Sequence, residues 1–293
     1  MAFIENTSMI YSMTGFGKAV TQLENKKINI EIKSLNSKNI DLNARMPQQY
    51  REKELVLRNK IAKRLVRGKI DFSLYVEVTN ENPSSDINTS VVKSYMDQLK
   101  QISDVKESEL LQIAMRLPDT LKTEREEIEE TEFKAIENLL DTALNEISNY
   151  RANEGAVLEK DFQLRIKNIQ QLLNEVVKID PDRIENVKMR LQKGIEDLKD
   201  KVDENRFEQE LIYYIEKFDI TEEKVRLTNH LSYFIENLNS DDSNGKKLGF
   251  IAQEIGREIN TIGSKSNFAP MQKLVVEMKD ELEKIKEQLL NVL

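Results

Sequence analysis

Residues 250–265 read F-I-A-Q-E-I-G-R-E-I-N-T-I-G-S-K, bringing acids, amides, hydroxyls and cations into one short span. Glu254, Arg257, Glu258 and Thr261 repeat at three and four residues, so on a helix they share one face, flanked by Gln253 and Asn260. Ile251, Ile255, Ile259 and Ile262 recur at spacings of four, four and three and draw an apolar stripe beside it. The polar set offers proton-transfer groups, metal-ligand oxygens and phosphate donors. The plain alternative is an amphipathic helix with weak, solvated Glu–Arg pairs. Gly263 is the expected C-terminal stop of this helix.

A second cluster lies upstream. Phe218 to Glu223 reads as a helix start, with Asp219 or Thr221 as the cap and acids in the first turn. On that helix Glu223, Arg226 and His230 fall at i, i+3 and i+7, which is one face. His230 is the single histidine of the chain. Its imidazole changes charge near neutrality, so it could ligate a metal, act as a general base or donate a proton. A surface or core-edge histidine is the competing reading.

Composition narrows the chemistry. The 293 residues contain no cysteine, which removes disulfides, thiolate catalysis and cysteine-ligated zinc. No apolar run approaches the ~20 residues needed to span a membrane, and no signal pattern opens the sequence, so a cytoplasmic location is expected. The net charge of −8 is unevenly spread. Residues 1–79 carry 14 Lys/Arg and 8 Asp/Glu, a net of +6 that leaves −14 on the rest. A basic front on an acidic body points to a local anion-binding surface.

The elements that must position these groups follow from periodicity. Lys27 to Lys33 alternates as a half-buried strand behind a turn at Glu24-Asn25-Lys26, and Ile70, Phe72, Leu74, Val76 and Val78 alternate as another. Leu35 to Arg45 is a loop or a further short strand. Gly15 and Gly17 lack the spacing of a phosphate loop. Between the strands Tyr50 to Val66 reads as a helix, with Leu55, Ile61, Leu65 and Val66 on one side. Residues 51–69 hold 8 Lys/Arg against 2 Glu, so Arg58, Lys60, Lys63, Arg64, Arg67 and Lys69 could track a phosphate backbone. Asn80 to Asn88 is turn-rich and marks a boundary. The remainder is helical. A long run from Thr131 to Val177 carries Leu158, Phe162, Ile166, Ile169, Leu173 and Val176, with Gly155 inside it marking close packing or a bend. Pro181 is expected in the first turn of a new helix. Asn239 to Lys247 reads as a loop. The last helix shows Leu274, Met278, Leu282, Ile285 and Leu289 as a seam. The expected fold class is α+β: a small N-terminal sheet-and-helix domain over 9–80, a helical region with a long hairpin over 88–200, and a C-terminal helical domain over 203–293 that carries the site.

Several of these stretches, taken together, resemble the YicC/YloC-type endoribonuclease family. They are Ser12–Lys18 (S-M-T-G-F-G-K), Glu31–Asn36 (E-I-K-S-L-N) and Arg64–Ile70 (R-L-V-R-G-K-I) at the front. Arg151–Leu158 (R-A-N-E-G-A-V-L), Asp219–Glu223 (D-I-T-E-E) and Arg226–Leu231 (R-L-T-N-H-L) follow, and Gln253–Lys265 closes the series. One departure is Thr228-Asn229-His230, where a serine is expected more often ahead of the histidine. The resemblance implies a bacterial cytoplasmic endoribonuclease, helped by a divalent cation, that forms a ring-like oligomer, a hexamer, around RNA. It also leaves a rival: a non-catalytic RNA-binding adaptor that promotes small-RNA turnover by another RNase.

The expectation taken forward is metal-assisted phosphodiester cleavage. Glu223, His230, Glu254 and Glu258, with Glu210 as a further ligand, would hold Mg²⁺ or Mn²⁺, which suit oxygen donors, an imidazole tilting the site toward Mn²⁺. His230, Glu254, Glu258 and Arg257 would act in catalysis. Arg226, Arg257, Asn260, Ser264 and Lys265 would hold RNA beside the basic residues Arg58, Lys63, Arg64, Arg67 and Lys69. A metal-free route through His230 and the 2′-hydroxyl needs a second partner for the single histidine. With few aromatics and no tryptophan, base stacking should be limited.

Overall fold

The computed structural model describes residues 10–79, 86–103, 106–122, 128–197, 204–240 and 245–293. Residues 1–9, most of the turn-rich boundary at 80–88 and the middle of the expected loop Asn239–Lys247 lie outside them; the end of that loop is corrected, since Gly245 to Lys247 already belong to a helix.

Strands β1 (Gly15–Gln22), β2 (Lys26–Leu35), β3 (Ile40–Arg45) and β4 (Gly68–Val78) form one sheet in the order β1-β2-β4-β3. β1 and β2 make a hairpin in which the Leu23 amide donates to the Lys26 carbonyl at 2.8 Å. β3 runs parallel to β4, joined to it through a 3-10 turn (Gln48–Lys53) and helix α1 (Glu54–Leu65). The period-two pattern works as expected. Ile28, Ile30 and Ile32 of β2 face Val76, Leu74 and Phe72 of β4 on one side, and that side is buried. α1 covers it with Leu57, Ile61 and Leu65, whereas Leu55 and Val66 are exposed. Of the expected inward set, Ile61 and Leu65 are buried, and Leu57 takes the place expected for Leu55. Val66 takes the left-handed turn at φ 61, and Gly68, at φ 128, opens β4 instead of closing the helix.

A short ribbon, β5 (Asp86–Ile87) with β6 (Leu121–Lys122), and helices α2 (Thr89–Ile102) and α3 (Glu107–Ala114) precede α4 (Glu130–Asp197). α4 is a single helix of 68 residues, about 100 Å long. Pro181 lies inside it, so the expected new helix does not start there. α4 belongs to two cores. Ile136, Leu140, Ala143 and Ile147 close the sheet core. Phe162, Ile166, Ile169, Leu173 and Val176 enter a second core with α6 (Thr221–Leu238), α7 (Gly245–Lys265) and α8 (Ala269–Leu289). α5 (Glu204–Lys217) precedes that bundle. No described helix is long and apolar enough to cross a membrane.

Candidate active site

α6 and α7 are antiparallel neighbours, and one ion pair fixes their register. Lys265 Nζ, at the end of α7, donates to Glu223 Oε1 at 2.7 Å and to the Asp219 carbonyl at 2.8 Å, at the start of α6. Asp219 Oδ1 accepts from the Thr221 amide and hydroxyl, so Asp219 supports the first turn. The Thr221 hydrogen bonds, together with Lys224 and Lys265 nearby, hold the Asp219 carboxyl below its usual range.

His230 lies seven residues along α6 from Glu223, and Glu258 lies seven residues back along α7 from Lys265. Seven residues are close to two full turns, so each sits on the stripe of its anchor, about 10 Å along the axis. Counted from the Glu223–Lys265 pair, His230 and Glu258 therefore come to about the same level along the two helices. His230 is partly buried, and Glu258 is only 4% exposed, on the stripe of Ile251, Ile255 and Ile262. No hydrogen bond or ion pair engages either side chain among the described residues. The residue is thus largely covered while its carboxylate stays free for a partner. Glu223 differs: its second oxygen, Oε2, is buried and unpartnered, and such a group ordinarily finds a partner.

The outward and opposite flanks of α7 carry the donors. Arg257 is exposed, with a 3.8 Å contact to Glu254. Ser264 is exposed and bonded to the Thr261 carbonyl, and Asn260 is exposed with no hydrogen bond among the described residues. Across Gly256, Lys286 of α8 completes an open groove of about 530 Å³. The expectation for Lys265 is only half met, because its ammonium is clasped by Glu223 and Asp219. Lys286 was missed, since the seam pattern of the last helix draws attention to its apolar residues alone. The predicted stop at Gly263 is corrected: α7 runs to Lys265, and Gly263 faces Val275 of α8, whose Cγ1 would be 3.0 Å from an added Cβ.

The expected metal ligands do not converge within one chain. Glu223 is taken by Lys265, Glu254 and Glu210 are exposed, and no group of three or more His, Asp or Glu side chains that could hold a metal ion occurs among the described residues. The donor set of a single chain therefore does not fit a resident divalent cation. Nor is the basic helix uniformly free. Arg58 is tied to Glu54 and the Leu42 carbonyl, Lys60 to Asp141, Arg64 to Asn145 and Arg67 to the Val292 carbonyl. Lys63 and Lys69 are exposed and unpaired among the described residues. Arg226 pairs with Glu222 on its own helix.

This site sits in the segment that matches the description "Endoribonuclease YicC-like, C-terminal" over residues 176–293. Residues 10–160 match "Endoribonuclease YicC-like, N-terminal region". The chain belongs to the YicC-like endoribonuclease family. A relative from Clostridioides difficile (strain 630), named "Probable endoribonuclease YicC", is 33% identical over 293 residues, covering 97% of this chain and 100% of the relative. One of the same name from Haemophilus influenzae is 30% identical over 287 residues, with the same coverage.

The other family stretches meet elsewhere, around Arg151 on α4. Arg151 is 3% exposed, and its guanidinium donates to the carbonyls of Leu65 (3.3 Å) and Met13 (3.1 Å) and to Ser34 Oγ (2.5 Å). Burial holds its pKa below the usual arginine value. Gly155 and Gly17 serve close approach: a Cβ on residue 155 would be 2.0 Å from the Ile10 carbonyl oxygen, and one on residue 17 would be 2.2 Å from that of Ala143. Residues 290–293 knit the same junction. Met13 N donates to the Asn291 carbonyl (2.7 Å), Leu293 N to the Tyr11 carbonyl (2.9 Å) and Asn36 Nδ2 to the Leu290 carbonyl (2.6 Å). The front motifs thus join the sheet to the bundle, and the rear motifs carry the exposed chemistry.

Proposed function

We propose that this family member is an endoribonuclease whose proton-handling pair is His230 and Glu258. The observation that supports this most is their placement: an imidazole and a largely covered acidic residue at about the same level on α6 and α7, neither engaged by a hydrogen bond or ion pair among the described residues. His230 would take the proton from the attacking oxygen, and Glu258 would stabilise the imidazolium that forms. In an in-line displacement the departing oxygen lies on the far side of phosphorus, so its proton comes from solvent. Arg257 and the donors beside it, on the other flank of α7, would hold the RNA backbone through phosphates other than the one that is cut. The names of the two relatives agree with RNA as the substrate.

Divalent-metal assistance by Mg²⁺ or Mn²⁺ stays part of the proposal. Its coordination would have to be completed by RNA phosphate oxygens or a second copy of the chain. A ring-like hexamer in the cytoplasm is the accompanying proposal, and light scattering would show a mass well above 34.1 kDa.

The test is cleavage of a labelled single-stranded RNA by wild type and His230→Ala, with EDTA and with Mg²⁺ or Mn²⁺. Cleavage lost in His230→Ala supports the assignment. Restoration by cation after EDTA supports metal assistance, whereas equal rates in EDTA would favour attack by the 2′-hydroxyl. Tight RNA binding without any cleavage would make the protein an adaptor instead.

A further inference from the structure

The groove between α7 and α8 lies on the side of α7 away from the His230–Glu258 flank. It is lined by Gln253, Gly256, Arg257, Asn260, Ser264 and Lys286. No carboxylate lines it. Two cations and two side-chain amides supply donors, and no aromatic or large aliphatic side chain offers a base a surface to stack on. Gly256 keeps the floor open: a Cβ there would come within 3.1 Å of Leu282 Cδ2 and 3.6 Å of Lys286 Nζ. The cations are lightly held. Lys286 Nζ pairs with Glu283 on its own helix at 2.7 Å, and Arg257 meets Glu254 at 3.8 Å, both pairs exposed to solvent. Exposed pairs of this kind contribute little, so an incoming anion can displace them.

We propose that this groove is a backbone-phosphate subsite for single-stranded RNA, with Lys286 as its central cation. The proposal rests on the endoribonuclease reading and adds a residue that binds without taking part in bond cleavage. α7 is roughly 10 Å across. A strand crossing its outer face keeps one phosphate in the groove while another, a short way along, reaches His230. Recognition in the groove is of charge and phosphate shape, and therefore tolerant of sequence.

The experiment compares wild type, Lys286→Gln and Lys286→Arg. Binding of a labelled single-stranded RNA is measured in EDTA across a salt series, and cleavage is measured under turnover conditions. Lys286→Gln should flatten the slope of log affinity against log salt by about 0.7, the value for one lost single-strand phosphate contact. It should raise KM roughly three- to tenfold with kcat unchanged, the pattern of lost uniform binding. Lys286→Arg should restore both, and thermal melting should match wild type throughout. An unchanged salt slope, or a fall in kcat at constant KM, overturns the subsite. If wild type binds RNA and never cuts it, a flattened slope in Lys286→Gln still supports the subsite while the nuclease reading falls. If wild type does not bind RNA, both fall.

Discussion

Arg151 and Glu258 are both charged residues withdrawn from water, 3% and 4% exposed, and neither forms an ion pair among the described residues. Arg151 is answered by neutral acceptors from three separate stretches: Met13, Ser34 and Leu65. Glu258 is answered by nothing in the described chain. The first arrangement is largely closed, since the fold itself supplies acceptors for both terminal guanidinium nitrogens and leaves only Nε unpartnered. The second is open, since the fold covers most of the residue and leaves the hydrogen-bonding capacity of its carboxylate unused. Polar side chains that the fold leaves without an internal partner are those expected where a ligand completes the site.

The comparison can be broken or sharpened by substitution. His230→Ala should reduce cleavage by about 10²–10⁴-fold, the usual contribution of a general acid–base group, with the melting temperature unchanged. A parallel loss of stability would move His230 from the open class to the closed one. At the junction the balance reverses. Gly155→Ala would put a Cβ 2.0 Å from the Ile10 carbonyl oxygen, and overpacking of this kind costs about 3 kcal/mol. Thermal melting should fall by several degrees, and activity should recover once the temperature is lowered below the transition. Glu258→Leu should separate the two classes most directly. Replacing the carboxylate by an apolar side chain should lower cleavage while the melting temperature stays close to that of wild type. A lowered melting temperature would mean that Glu258 has a structural partner after all.

The smallest effect concerns Asp219. Its carboxyl titrates below the ordinary value because of the Thr221 hydrogen bonds and the neighbouring lysines. A depressed folded pKa adds stability above the unfolded Asp range near ~3.9, and that stability is lost as pH falls through the lower folded value. The Thr221 amide resonance, followed between pH 6 and 2, should therefore move only in the acidic part of the range. A midpoint at or above the ordinary Asp value would contradict the assignment.

Much of this was legible in the chain. β2 and β4 were visible because half-buried strands alternate, and the stripes of α4, α7 and α8 because helices facing a core repeat every three to four residues. Pro181 was misread because the local rule against proline inside helices was overridden: on α4, Asp180 is gripped by Arg183 and by Lys224 of α6, which holds the turn in place. Gly263 was misread because a glycine that admits a neighbouring helix looks, in sequence, like one that ends a helix. The residues of the candidate site could be named from the sequence, but their division between the two flanks of α7 was not visible. Which groups of α6 and α7 come level shows only in the pairing of Glu223 with Lys265, 42 positions apart in the sequence. The same pairing turned Lys265 from an expected phosphate donor into an anchor.

One further consequence comes from α4 being continuous through both cores. Between Ile147, under the sheet, and Phe162, in the bundle, the helix sets both a distance and an angle. Each residue inserted there would advance the far core by about 1.5 Å and rotate it by roughly 100°. A single insertion would therefore turn the bundle away from the sheet. Seven inserted residues would nearly restore the angle but open a gap of about 10 Å, which the short bonds at residues 290–293 could not span. The stretch should consequently hold its length over evolutionary change even where its solvent-facing residues vary freely, so that phase, rather than composition, is what descent has to preserve.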